Sequence, residues 1–239
     1  ELAVLQDLVG QGLIGADILT APAAMAPVSG SRQLDRKNLR KASALMEQAG
    51  WLVNADGMRE KDGEVFTLEV LASSPAFDRI TNPMIENMKS LGIDARLNRV
   101  DGAQATERSR AYDFDVMNHS MRMSFEPSSG LEQYFGSKAM EGSSRNLMGF
   151  SDPAADALIE LVVRSETKAH LTTRIRALDR LLRAKRFWIP QWFKAVHTVA
   201  YYDQYEHPDP LPSFALGELD FWWFNAEKAA KLDAAGALN

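Results

Sequence analysis

The chain has 239 residues, of which 46% are hydrophobic, so it is long enough to bury a substantial core. Its formal net charge is -5 and it has no long run of Lys or Arg, which argues against nucleic acid as a partner. The absence of cysteine excludes disulfides, thiolate zinc sites and cysteine nucleophiles. No apolar run approaches the roughly 20 residues that a membrane-spanning helix needs.

Residues 1–34 are expected to form a lead-in helix and a linker. Leu2, Leu5 and Leu8 recur at helical spacing before several glycines interrupt the pattern. Two prolines, Pro22 and Pro27, then argue for a surface linker and against a helix.

A capped helix followed by a hairpin is predicted next. Asp35 can accept hydrogen bonds from the free amides at the start of a helix over Arg36–Ala49, and Gly50 ends that helix. The run Trp51–Val53 is expected to pair with Phe66–Leu71, because Asp-Gly turn signals lie between the two.

The next segments predict a βαβ unit. A helix over Ile80–Leu91 has one apolar face, and Ile93–Val100 alternates as a strand does. A strand, a crossover helix and a strand favour parallel pairing, so Ile93–Val100 should lie beside Phe66–Leu71.

A third strand leads into a candidate ligand loop. After Asp101–Gln104 a helix is expected to about Ala111, then a strand over Phe114–His119 and a mixed polar and aromatic loop over Ser120–Ser128. Loops that follow the carboxyl ends of strands are where α/β folds bind ligands.

The remainder of the chain is expected to contain helices, aromatic strands and a stiff segment in which Pro208, Pro210 and Pro212 break regular structure. The predicted helices are Ser128–Phe135, one beginning at Asp152-Pro153, Ala169–Lys185 and Ala226–Ala235. The predicted strands are Trp188–Phe193, Thr198–Tyr202 and Phe221–Phe224.

No pattern in the chain indicates an enzyme. The four histidines lack the spacing of a helical metal pair, and neither a strained nucleophile turn nor a glycine-rich phosphate loop is present. We therefore expect no catalytic residues, no cofactor and no metal.

Several segments, taken in order, resemble a known family. They include "LRKASALMEQAGW", "YDFDVMNHS", "SRNLMGFSDPAADALIE" and "IPQWF", within a resemblance that runs from about Leu34 to Trp223. The likeness is to the periplasmic peptide-binding proteins of ABC importers, the family-5 extracellular solute-binding proteins, and within them to the YejA-like branch. It implies an α/β fold, a periplasmic binding protein type-II-like lobe with a mixed central sheet and flanking helices.

The resemblance also implies a domain organisation and a location. Residues 35–205 would form the second lobe of a two-lobe protein, and 206–239 a crossing segment that returns to the first lobe. Most of the first lobe would be absent from this chain, together with the signal peptide that a periplasmic protein carries.

The function implied by the resemblance is capture of oligopeptides between two lobes and their delivery to a membrane permease, by a monomer. One alternative is the same fold binding a sugar, a metal chelate or a modified peptide. Two further alternatives are a hydrolase built on this fold and a protein-interaction module.

By resemblance, the strand Phe114–His119 and the loop after it line the ligand cleft. The candidate ligand contacts are Gln104, Asn118, His119, Arg122, Ser124, Arg145, Asn146 and Trp192. Arg122 and Ser124 stand where the best-known oligopeptide binders place an acid for the peptide's amino terminus, so Arg122 suits a carboxylate or another anion instead.

Structural roles compete with ligand contact at several of these positions. His119 could be a satisfied histidine at a strand end, and Trp192 could be a core tryptophan. Arg145 and Asn146 precede a stretch whose expected role is structural.

Overall fold

In a computed structural model, the structure describes residues 1–121, 127–142, 145–196, 198–212 and 217–237. The chain divides into two compact units, Glu1–Ile189 and Pro190–Asn239. This division falls earlier in the chain than residue 206, where the crossing segment was expected to begin. No described helix is both long and apolar enough to cross a membrane.

The first unit combines helices with short strands. Its helices are α1 (Leu2–Gly10), α2 (Asp17–Thr20), α3 (Arg36–Gln48), α4 (Asp78–Lys89), α5 (Gly102–Arg110), α6 (Gly130–Phe135), α7 (Pro153–Val163) and α8 (Lys168–Lys185). Its strands are β1 (Leu52–Val53), β2 (Arg59–Lys61), β3 (Glu64–Val65), β4 (Thr67–Ala72), β5 (Asp94–Arg99) and β6 (Val116–Met117). Two 3-10 turns cover Pro75–Phe77 and Ser137–Glu141.

The predicted helix starts are confirmed by their caps. The Asp35 carboxylate accepts from the backbone N–H of Asn38 and of Lys37, both at 3.0 Å, and these bonds hold the pKa of Asp35 below its usual range. The Asp152 carboxylate accepts from the backbone N–H of Ala154 and Ala155 at the start of α7, whose first residue is Pro153. Each cap satisfies amides that the helix itself leaves without partners.

The central sheet has the order β5-β4-β6, and both of its pairings are parallel. The β4–β5 register runs from Thr67 opposite Asp94 to Ala72 opposite Arg99, which confirms the predicted βαβ unit. The α/β class is also confirmed. The central sheet was expected to be mixed, but both of its pairings are parallel, and the antiparallel pairings of the described strands lie in separate sheets.

The predicted pairing of Trp51–Val53 with Phe66–Leu71 is wrong. β1 pairs instead with β2, and β2 pairs with β3, in a separate antiparallel sheet. The Asn54 side-chain oxygen accepts from the backbone N–H of both Asp56 and Met58 at 3.0 Å, so the chain reverses immediately after β1. The two turn signals therefore close two successive hairpins rather than one long one.

Two hydrophobic clusters form the interior of the first unit. The larger, here called the helical cluster, is built mainly from α1, α6, α7 and α8, and its fully buried members include Leu5, Leu158, Leu178 and Leu181. The smaller, here called the sheet cluster, has Val70, Ile85, Ile93 and Ala95 at its centre. The sheet cluster lies where α4 packs against the parallel strands.

The second unit contains β7 (Tyr205–Glu206), β8 (Trp223–Phe224) and α9 (Ala226–Ala234). β7 and β8 pair antiparallel, with Tyr205 opposite Phe224. The predicted last strand is thus shorter than expected, and the terminal helix is confirmed.

Two other predicted strands, Trp188–Phe193 and Thr198–Tyr202, are wrong for the part of the chain that the structure describes. Neither run forms a ladder with another segment there. Aromatic and β-branched composition favours extended backbone, but a strand exists only where a second backbone edge supplies hydrogen bonds.

Candidate functional site

A cavity of about 130 Å³ lies at the carboxyl ends of β4 and β6. Its lining residues come from the end of β4, the start of α4, α5 and the end of β6; they are Leu71, Ala72, Ser73, Ser74, Phe77, Asp78, Thr81, Ala105, Met117 and Asn118. β4 lies between β5, the next strand of this sheet along the chain, and β6, which comes later in the chain. The strand order therefore changes direction at β4. Ligands of open α/β sheets bind beyond the carboxyl ends of the strands at such a crossover point.

Asn118 is held at this cavity by a buried threonine. The Asn118 Nδ2 donates to Thr81 Oγ1 at 2.9 Å, and Thr81 is only 2% exposed. A carboxamide also carries an acceptor oxygen and a second N–H, and the Thr81 bond restricts the plane in which they lie. The half-buried Asn118 side chain can therefore offer oriented hydrogen bonds to a ligand.

An ion pair forms one charged part of the wall. Asp78, the first residue of α4, lines the cavity and pairs with Arg99 at the end of β5. About a third of each side chain is exposed. A carboxylate in the first turn of a helix also interacts favourably with the helix dipole. The pair joins α4 to the sheet and leaves the two charges mutually compensated.

His119 follows Asn118 in the chain and is more exposed. Partial burial nevertheless lowers the pKa of the imidazole below its ordinary value. A lowered pKa keeps the ring neutral near pH 7, with one nitrogen as donor and the other as acceptor. The residue can thus take part in neutral hydrogen bonding next to the cavity.

Gln104 lies in the first turn of α5, immediately before the lining residue Ala105. Asp101 caps this helix by accepting from the Gln104 backbone N–H at 2.9 Å, and the Gln104 side chain itself is exposed. Three sequence-predicted residues, Gln104, Asn118 and His119, are therefore in or next to segments that line the cavity.

The other predicted contacts lie elsewhere. Asn146 is fully buried, and its amide donates to the Phe150 carbonyl at 2.8 Å and accepts from the Phe150 N–H at 2.9 Å, so it closes its own loop. Arg145 lies over the Tyr134 ring, 5.4 Å from its centre. Trp192 belongs to the second unit and is 59% exposed.

Arg122 and Ser124 lie outside the described residues, so the predicted anion contact of Arg122 stays a prediction. Within the ranges that are described, no group of three or more His, Asp or Glu side chains could hold a metal ion.

Sequence reasoning missed the residues that α4 and the end of β4 bring to the site, above all Thr81 and Asp78. A signal was available for Ser73 and Ser74, since they lie just beyond the predicted strand Phe66–Leu71, after Ala72, and precede Pro75. The same rule that selected the loop after Phe114–His119 applies to them.

Residues 4–142 match the middle region of the bacterial extracellular solute-binding proteins, family 5. The chain belongs to this family. The matched range contains every lining residue of the cavity. Members of the family are substrate-binding proteins rather than enzymes, which agrees with the absence of catalytic motifs in the sequence.

Individual similar proteins support the assignment. The probable peptide-binding protein YejA of Agrobacterium fabrum is 33% identical over 225 residues, which cover 93% of this chain and 36% of YejA. The peptidoglycan-binding protein YepA of the same organism is 28% identical, again over 93% of this chain and 36% of its own length. The chain thus spans about a third of the length of the curated relatives it matches.

A solved structure shows the same fold. The oligopeptide-binding protein AppA from Bacillus subtilis, in complex with a nonapeptide, superposes with a TM-score of 0.58 at 19% identity. The match covers 93% of this chain and 46% of AppA.

Proposed function

We propose that this chain supplies one ligand-binding lobe of an oligopeptide receptor that serves an ABC importer. The observation that carries the proposal is the cavity at the carboxyl ends of β4 and β6, with Asn118 held by Thr81 in its wall. The name of the relative YejA and the peptide in the AppA complex support a peptide as the ligand class.

Peptide binding suits the residues at the carboxyl ends of β4 and β6. An extended peptide presents N–H and C=O groups at regular intervals, and its side chains need separate pockets. Asn118 can meet a backbone group of the peptide, with Gln104 and His119 as further contacts. The cavity beside Asn118 can take a side chain.

Delivery would follow from a shift in conformation. In the proposed receptor the peptide binds between this lobe and a second one, stabilises the closed form and so presents it to a membrane permease. The receptor would act in the periplasm as a monomer, and no bond would be made or broken.

A peptide linked to a glycan is the second candidate ligand. It is supported by YepA, the peptidoglycan-binding relative that aligns with 93% of this chain. Such a ligand would use the same peptide contacts and place its sugars outside the cavity.

A thermal-shift experiment tests the proposal. We expect peptide pools of two to ten residues to raise the melting temperature of the chain, because a ligand that binds only the folded state stabilises it by mass action. Mannohexaose serves as the sugar control, and purified peptidoglycan fragments test the second candidate.

Two variants test whether the peptide-induced rise in melting temperature depends on the cavity. Asn118→Ala should abolish the peptide-induced shift, whereas Asn82→Ala, at an exposed position of α4, should preserve it. A shift produced by mannohexaose and by no peptide would contradict the proposal.

A further inference from the structure

The volume of the cavity limits what can enter it. At about 130 Å³ it is slightly smaller than an engineered apolar cavity of about 150 Å³ that holds benzene. A leucine side chain or a phenyl ring is of this size, whereas an indole ring is larger. The cavity therefore has room for one side chain of medium size.

The walls favour an apolar occupant. Apolar atoms make up the larger part of the exposed wall, and five of the ten lining residues are apolar, namely Leu71, Ala72, Phe77, Ala105 and Met117. The other five, Ser73, Ser74, Asp78, Thr81 and Asn118, are polar or charged. Apolar surface that enters such a site is removed from water on both sides, which is the main favourable contribution to binding there.

The charge in the wall gives little to a charged occupant. Asp78 lines the cavity, but its carboxylate is already paired with Arg99. A lysine or glutamate side chain would lose its hydration and would have to compete with an existing partner.

We propose that this cavity binds a single uncharged, apolar side chain of leucine or phenylalanine size, and that it thereby selects peptides by the residue at one position. The inference rests on the proposed function and specifies its ligand. Asn118, fixed by Thr81, would bind the peptide backbone next to the selected residue.

Tripeptides of alanine with one substituted residue test the inference. The substituted residue is Leu, Phe, Trp, Lys or Glu, placed in turn at each of the three positions, and dissociation constants are measured by NMR titration of the chain. Leu and Phe should bind about tenfold tighter than Ala at one position, because they bury several more carbons. Trp, Lys and Glu should bind no tighter than Ala at that position.

Two variants assign the preference to the cavity. Ala105→Leu fills it and should remove the preference for Leu over Ala, whereas Ala103→Leu on the exposed side of α5 should keep it. Met117→Ala enlarges the cavity and should bring the affinity for the Trp peptide to that of the Phe peptide.

The outcomes separate the two proposals. Tripeptides that bind with equal affinity whatever the substituted residue would overturn the inference and leave the proposed function standing. A preference for Leu that survives Ala105→Leu, together with an unchanged profile in Met117→Ala, would also overturn it. If no tripeptide binds although longer peptides raise the melting temperature, the inference fails and the proposed function stands, whereas if no peptide of two to ten residues has an effect, both fail.

Discussion

The helical cluster and the sheet cluster are stabilised by different means. The helical cluster has sixteen buried hydrophobic residues among those described, whereas the sheet cluster has four. Around the sheets, buried polar side chains take a larger share of the interior, among them Arg59, Thr81 and Ser109. Ion pairs such as Arg108–Glu69, at 2.8 Å, add links across this region.

The candidate site adjoins the smaller of the two cores. A small apolar core held by hydrogen bonds needs less free energy to open locally than a large one does. Binding regions generally lie in the parts of a structure that have low local stability. The helical cluster, with its larger apolar interior, is expected to open less readily.

The largest predicted effect is in the helical cluster. Leu158→Ala should lower the free energy of unfolding by about 2–5 kcal/mol, because Leu158 is fully buried and the deletion leaves a cavity. Urea unfolding followed by circular dichroism measures this. Val163→Ala, at a half-exposed position of the same helix, should change stability by less than about 0.5 kcal/mol. Equal losses from the two variants would contradict the assignment of this core.

A polar residue should matter nearly as much beside the sheets. Arg59 is 3% exposed and donates to the carbonyls of Leu91 and Trp51, at 2.9 and 3.0 Å. Arg59→Leu should lower the free energy of unfolding by about 2–3 kcal/mol, because these buried acceptors lose their donor.

Arg96→Leu is the matched control for Arg59, since its ion pair with Asp94 is exposed and contributes little. If Arg59→Leu were neutral in the same urea titration, the polar interior would not support this region.

A smaller effect is expected at Thr81. Thr81→Val keeps the shape of the side chain but removes the acceptor for Asn118, so it should cost about 1 kcal/mol and shift the NMR signals of the Asn118 side-chain amide. Thr81→Ser retains the hydroxyl and should leave those signals nearly in place. Identical spectra for the two variants would show that Thr81 does not position Asn118.

The smallest predicted effect is the pH dependence caused by His119. Burial lowers its folded-state pKa, so the unfolded chain binds a proton more readily than the folded one. Stability should be complete above the ordinary value of 6.5 and should decline as the pH falls below it towards the lowered pKa.

Thermal melts between pH 7.5 and 5 would detect this slope, and it should be absent in His119→Gln. His170→Gln in α8 is the control. A slope that persists in the His119 variant would assign the dependence to another group.

Local sequence signals predicted the helices and the βαβ unit well. Asp35 and Asp152 act on amides two or three residues away, and the alternation in Ile93–Val100 fixes which face of β5 is buried. Such signals need no knowledge of distant parts of the chain. The family resemblance selected Asn118, which lies at the cavity, and its contact with a ligand stays a prediction.

Partners that are distant in the chain could not be predicted in this way. The hairpin assignment failed because Trp51–Val53 has strand character with several possible partners. Thr81 was missed because its role depends on how α4, which packs against β5, brings it to Asn118 at the end of β6, and periodicity alone does not define that. The aromatic runs after Phe187 show the same limit, since composition indicates extended backbone but not the edge that would pair with it.

An NMR titration shows directly whether peptide binds at the carboxyl ends of β4 and β6. The chain, labelled with 15N, is titrated with the alanine tripeptides that contain one leucine, and backbone amide shifts are recorded for both clusters. We predict shifts at Leu71, Ala72, Ser73 and Asn118, with Leu158 and Leu178 in the helical cluster unchanged. Shifts confined to the helical cluster, or none at saturating peptide, would contradict a peptide site at the carboxyl ends of β4 and β6.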